Sequence, residues 1–285
     1  MNFVKVLAFF VLSSVMNSSY AECWLEDKVT GKKFRIFNAL LYEDMRETNS
    51  LCIEKINMLY SWRFFPRGHK DRMTEMPKNK DIKTVIDSIS DSNTLNVIDV
   101  EHWDLKSDKH ARKSAENYFN LIASLKSMSP DKKFGYYGVV PIVDFSRAKQ
   151  SKKSAQYKRW VRENSRLSKV ADQVDATLPS LYTINSNRKH WLSRATGQIS
   201  EARRLAVNKP VYPFIWPDYH TQGGKYPKGY EIEADYWRLQ LDYLRNNADG
   251  IVLWGGYKQT FSENMKWWQE TIRFINESFY IKQTL

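Results

Sequence analysis

Cysteine is nearly absent from these 285 residues: there are two, Cys23 and Cys52. No CxxC motif and no Cys/His cluster occurs, and His69, His102, His110, His190 and His220 fall at no metal-ligand spacing. A metal centre is therefore not expected. Glycine is also sparse, and neither a GxGxxG nor a P-loop follows the first strand candidate, which argues against an open nucleotide-binding sheet. Beyond the N-terminus no stretch approaches the roughly 18 apolar residues of a membrane-spanning helix. Internal repeats, low-complexity tracts and an interdomain linker are lacking too. No cofactor is implied.

Acidic residues are outnumbered, 32 against 44 Lys and Arg, for a formal charge of +12. That balance suits an anionic partner: an acidic glycan, nucleic acid or a membrane surface. The basic residues form no stripe interleaved with aromatics, which puts nucleic acid last. Their densest run, Arg147 to Arg166, has helical spacing and reads as a solvated helix face.

The first 21 residues read as an export signal. Lys5 supplies a positive start, Val6 to Val15 a mostly apolar run too short to span a bilayer, and Ser19-Tyr20-Ala21 small residues at −3 and −1 of a cleavage site. A first strand or a membrane anchor is the alternative. Glu22 stands where a lipobox before Cys23 needs a small residue. Cleavage would leave residues 22–285 as one soluble domain, secreted or periplasmic. In that compartment Cys23 and Cys52 are expected to form a disulfide, the alternative being two buried thiols.

Short apolar runs alternate with longer amphipathic ones. Strand candidates are 34–38, 56–60, 95–99, 134–138, 178–182, 211–215 and 250–254. Helical patterns cover 113–128, 156–174, 191–207, 233–246 and 263–279. Strict β/α alternation implies a parallel sheet. Seven or eight such units in this length favour a closed (β/α) TIM-like barrel.

A parallel barrel carries its site at the C-terminal strand ends. Here these read Asn38, Tyr60, Asp99 with Glu101, Tyr136 with Tyr137, Tyr182, Trp216 to His220, and Trp254. Acids are few and aromatics abundant, as in clefts that stack sugar rings. Asp99 and Glu101, two apart on an extended chain, share one side. Neighbouring carboxylates do not both ionise easily, and burial raises the pKa of the less solvated one, which is what a general acid needs. A solvated loop start, or Asp99 capping the next helix, is the plainer reading of that spacing.

The motifs Ile98-Asp-Val-Glu-His-Trp103, Gly135-Tyr-Tyr-Gly138 with Pro141, Leu178-Pro-Ser-Leu-Tyr182, Ile199-Ser-Glu-Ala-Arg203 with Pro210-Val211, and Gly250-Ile-Val-Leu-Trp-Gly255 occur in that order. Together with Ile56-Asn-Met-Leu-Tyr60 and Phe65-Pro66, they make the chain resemble the hyaluronidase family of secreted glycosidases. The resemblance implies a seven-stranded barrel, agreeing with the seven strand candidates. It also implies a retaining, substrate-assisted endo-β-N-acetylhexosaminidase mechanism. Glu101 would be the acid/base, and Asp99 would orient the substrate's acetamido group. Tyr137, Tyr182 and, more loosely, Tyr219 would bind sugar, with Trp254 flooring the acetamido pocket; for each aromatic the alternative is barrel packing. The implied partner is an amino-sugar polysaccharide, anionic if the charge balance recruits it. Departures exist: Val100 replaces an aromatic residue between the carboxylates, and Asp104-Leu-Lys-Ser an Arg-rich stretch. The family's disulfide arrangement and Cys-rich C-terminal extension are missing. They leave two other readings open: a barrel glycosidase acting on peptidoglycan or exopolysaccharide, and a catalytically silent glycan-binding barrel.

Overall fold

The computed structural model describes residues 23–45, 48–66, 73–89, 94–220 and 229–283. The expected export signal lies outside them. In chain order the elements begin with β1 (Cys23–Asp27), β2 (Lys33–Leu40), β3 (Ile53–Lys55) and β4 (Asn57–Tyr60). Next come α1 (Ser61–Phe64), α2 (Asn79–Asp87), β5 (Leu95–Asp99), α3 (Ala111–Met128) and β6 (Lys133–Tyr136). Then α4 (Ala155–Asn164), α5 (Ser168–Gln173), α6 (Arg188–Leu205) and β7 (Phe214–Ile215) follow. The last are α7 (Ala234–Asn247), β8 (Gly250–Gly255), α8 (Lys266–Ser278) and β9 (Phe279–Gln283).

The parallel pairings run round a ring. β8 pairs β2, β2 pairs β3, and β4, one residue beyond β3, pairs β5, which pairs β6. From there Tyr137 bridges Leu178, Ser180 bridges Phe214, and β7 pairs β8 again. The chain is a (β/α) barrel. Period-two alternation sorts its side chains. On β8, Val252 and Trp254 point inward while Ile251 and Leu253 meet the helices; on β5, Leu95 and Val97 point inward and Ile98 outward. Helices cover the ring through apolar stripes, such as Tyr118, Leu121, Ile122 and Leu125 of α3, all fully buried.

The expected strand at 178–182 is reduced to isolated bridges, and that at 211–215 to two residues. Proline explains this. Pro179, Pro210 and Pro213 have no N–H to give, so the ladder loses donors, although the carbonyls of all three accept from neighbouring strands. The helical pattern at 156–174 is broken by a 3-10 turn at Ser165–Leu167. On α4 the exposed Lys158, Arg159 and Arg162 lie opposite buried Tyr157 and Trp160, the expected solvated face.

Three strands were not anticipated: β1, β3 and β9. β1 pairs antiparallel with the start of β2 and with β9, closing the N-terminal end of the barrel. Cys23 and Cys52 are joined in a disulfide with Cα atoms 5.5 Å apart, tying β1 to the entry of β3.

Candidate functional site

The inward face of β5 reads Leu95, Val97, Asp99, so Asp99 is where the apolar barrel interior meets the C-terminal mouth. Glu101 lies two residues on, with the Val100 side chain between them fully buried. Tertiary contacts fix this turn. The Tyr118 hydroxyl of α3 donates to the Val100 carbonyl at 2.7 Å, and the Tyr136 hydroxyl to the Tyr118 carbonyl at 2.7 Å. Trp103, 1% exposed, packs edge-on against Tyr118.

Asp99 and Glu101 are near enough to act on each other's ionisation. Burial, then the neighbouring Glu101 carboxylate, push the Asp99 carboxyl up to about 7. Burial also raises Glu101, against an opposing pull from Asp99. Yet the Glu101 side chain is open to solvent. Its carboxyl is thus surrounded by protein on most sides and open on one. The pair can hold a proton towards neutrality and present it to a ligand from the mouth.

Aromatic rings adjoin the acids. Tyr182 is at the centre: Trp254 stacks on it at 5.6 Å and 28°, His220 at 5.7 Å and 25° on another side. Tyr137 lies 5.8 Å away and Trp216 5.5 Å. The Tyr137 hydroxyl donates to Ser180 Oγ at 3.0 Å. Burial raises both tyrosine hydroxyls well above their ordinary value, and the Asp99 and Glu101 charges add to the shift, so all four groups feel one another. On the neighbouring strand Tyr60 is in register with Asp99.

Five of the expected residues are thus brought together: Asp99, Glu101, Tyr137, Tyr182 and Trp254. Tyr219 is not. It is 0% exposed in the layer between barrel and helices, and its hydroxyl donates to Glu233 at 2.6 Å. Its neighbour His220 faces the cluster, because successive residues of an extended segment point to opposite sides. Ser180 had a signal, the period-two step from Tyr182. Tyr118 and Arg194, whose guanidinium donates to the Tyr182 carbonyl, had none, since both reach the site from helices. Among the described residues no group of His, Cys, Asp and Glu could hold a metal, and no helix is long and apolar enough to cross a membrane.

No family model and no curated protein sequence matches the chain. Solved structures do. Bee venom hyaluronidase aligns over 86% of this chain and 97% of its own, at 17% identity and a TM-score of 0.60. The same enzyme in complex with a hyaluronic acid tetramer gives 15% identity and 0.61 over the same shares. The endo-β-1,4-mannanase of Thermotoga petrophila aligns over 80% of this chain and 58% of its own, at 15% identity and 0.50. The barrel is therefore one that glycoside hydrolases use, and at these identities the likeness is one of fold.

Proposed function

We propose that this protein is a glycoside hydrolase, an endo-β-N-acetylhexosaminidase acting on an amino-sugar polysaccharide, with Glu101 as acid/base. Residues 22–285 would be one catalytic domain, exported after removal of residues 1–21. The observation that carries the reading is the pair of acids, Asp99 and Glu101, acting on each other beside an aromatic cluster at the barrel mouth.

In the two-carboxylate schemes a sugar ring sits between acids about 5 Å or more apart. Asp99 and Glu101 stand two residues apart at one strand end and act on each other's ionisation, instead of facing each other across a sugar ring. A pair this close suits the substrate-assisted route, in which the substrate's 2-acetamido oxygen attacks the anomeric carbon. Glu101 gives its proton to the departing glycosidic oxygen and later takes one from water. Asp99 accepts the acetamido N–H and its negative charge stabilises the oxazolinium-like intermediate. Trp254 would floor the acetamido pocket, and the Tyr137 and Tyr182 hydroxyls would hydrogen-bond the acetamido group or sugar. The cleft placement of these residues, and the likeness in fold to an enzyme solved with hyaluronic acid, support this reading.

Replacing Glu101 by Gln keeps the shape and removes the transferable proton. Turnover of an N-acetylated glycan should fall about 10²–10⁴-fold with a smaller change in glycan affinity. Wild-type turnover in Glu101→Gln would refute the assignment. Binding without cleavage in the wild type, unchanged in both Glu101→Gln and Asp99→Asn, would favour a silent barrel. A thiazoline mimic of the intermediate should inhibit, and de-N-acetylated substrate should resist cleavage.

A further inference from the structure

At the C-terminal end of the barrel, beside the aromatic cluster, a small recess opens to solvent, lined by Phe145, Lys149, Asn185, His190, Trp191 and Arg194 among others. Arg194 is 2% exposed. One guanidinium nitrogen, Nη2, donates to the Tyr182 carbonyl, and the Phe145 ring covers the group at 5.0 Å. Nε and Nη1 have no hydrogen-bond partner among the described residues, and no described carboxylate lies within ion-pair distance. Leaving a cation and two donors buried and unanswered is costly. Arginine cannot escape by giving up its proton at ordinary pH.

The surroundings add to the positive potential. Lys149 is on the rim, and the recess sits against the first turns of the 18-residue α6, whose N-terminal dipole favours an anion. The two walls are held together at Gly197. A Cβ there would come within 2.0 Å of the Ala148 carbonyl oxygen, so only glycine lets α6 press onto the loop that carries Phe145 and Lys149.

We propose that this recess is an oxyanion-binding site in which Arg194 is the fixed donor and Lys149 the mobile one. Its ligand is a single carboxylate, sulfate or phosphate group, carried on a glycan or present as a free ion. The site adjoins the cleft, since Phe145 lies 5.8 Å from the His220 ring that stacks on Tyr182. It does not depend on the hydrolase reading.

Trp191 in the wall provides a fluorescence signal for the full chain. Titration with sodium sulfate, phosphate or acetate, at ionic strength held constant with sodium chloride, should give a saturable change. Lys149→Glu should weaken binding at least tenfold. Arg194→Lys should do the same if circular dichroism shows it folded; if it does not fold, Lys149→Glu decides. A carboxylate-bearing oligosaccharide that displaces sulfate, where its carboxyl-reduced form does not, assigns the anion to the glycan. Sulfate that neither displaces assigns it to the free ion. A response equal to that of chloride, or one untouched by Lys149→Glu, overturns the site. Glu101→Gln should leave sulfate affinity unchanged, so this proposal and the hydrolase reading fail separately.

Discussion

The two ends of the barrel are built on opposite principles. At the N-terminal end charges are answered. Asp175, just before the 177–181 segment, pairs with Lys126 at 2.8 Å and accepts the Phe134 N–H at 2.8 Å. Asp249, just before β8, pairs with Lys32 and Arg203, both at 3.1 Å, and accepts the Val211 N–H at 2.8 Å. Asp27 pairs with Arg245 near the end of α7, and the disulfide pins β1 beneath the ring. At the C-terminal end polar groups are left wanting. Two acids press on one another, and Tyr60 Oη, Trp216 Nε1 and two Arg194 nitrogens lack hydrogen bonds of good geometry among the described residues. One end is organised for stability, and the other keeps unsatisfied groups that a ligand can satisfy.

Substitutions at the two ends should therefore separate stability from activity. The largest effect expected is that of Glu101→Gln, the turnover loss given above, with the urea midpoint of unfolding nearly unchanged. At the opposite end, Asp27→Ala strands Arg245 and should cost about 3 kcal/mol by urea denaturation, while turnover of the folded fraction stays near wild type. A turnover loss comparable with that of Glu101→Gln would erase the distinction between the ends. Replacing Cys23 and Cys52 together by Ser should cost about 2–4 kcal/mol, again without a catalytic defect.

A further effect has the opposite sign. The Asp99–Glu101 pair holds one proton in the folded state up to about pH 7, the value to which burial and the neighbouring charge push Asp99 from the ordinary 3.8. Between those values the folded chain binds more protons than the unfolded one, so this group's contribution to stability declines as pH rises from about 4 to 7. Asp99→Asn should then stabilise the protein at pH 8, with the gain vanishing near pH 4, even as turnover collapses. Asp27 behaves in reverse. Arg245 holds it well below the usual carboxylate range, so its contribution is full above about pH 4 and lost on acidification. Unfolding curves of the two variants across pH should diverge in opposite directions; parallel curves would sink the comparison.

Much of this was legible in the chain. The barrel follows from the alternation of short apolar runs with amphipathic helices, because a parallel strand must bury two faces and each helix one stripe. Asp99 and Glu101 were readable as a pair because the two-residue period of extended backbone is local. The disulfide was readable from two cysteines in a chain expected to be exported. Tyr219 illustrates the limit. A tyrosine after a strand looks the same whether it faces the cleft or the helices, and only packing against α7 and its acid Glu233 decided for the helices. The strands at 178–182 and 211–215 were shortened by prolines whose effect depends on which neighbour needs the missing N–H.

Short-range repetition along the chain sets the strand and helix periods, the same-side placement of the two acids, and the aromatic character of the strand ends. Tertiary structure alone decided what depends on distant segments meeting. It raised the pKa of the acids by surrounding them, locked their turn through Tyr118, and closed the N-terminal end with β1 and β9. It also buried Arg194 without a counter-charge. The physical reason is that desolvation and ion pairing depend on everything within several ångströms in space, and those neighbours lie tens to hundreds of residues away along the chain.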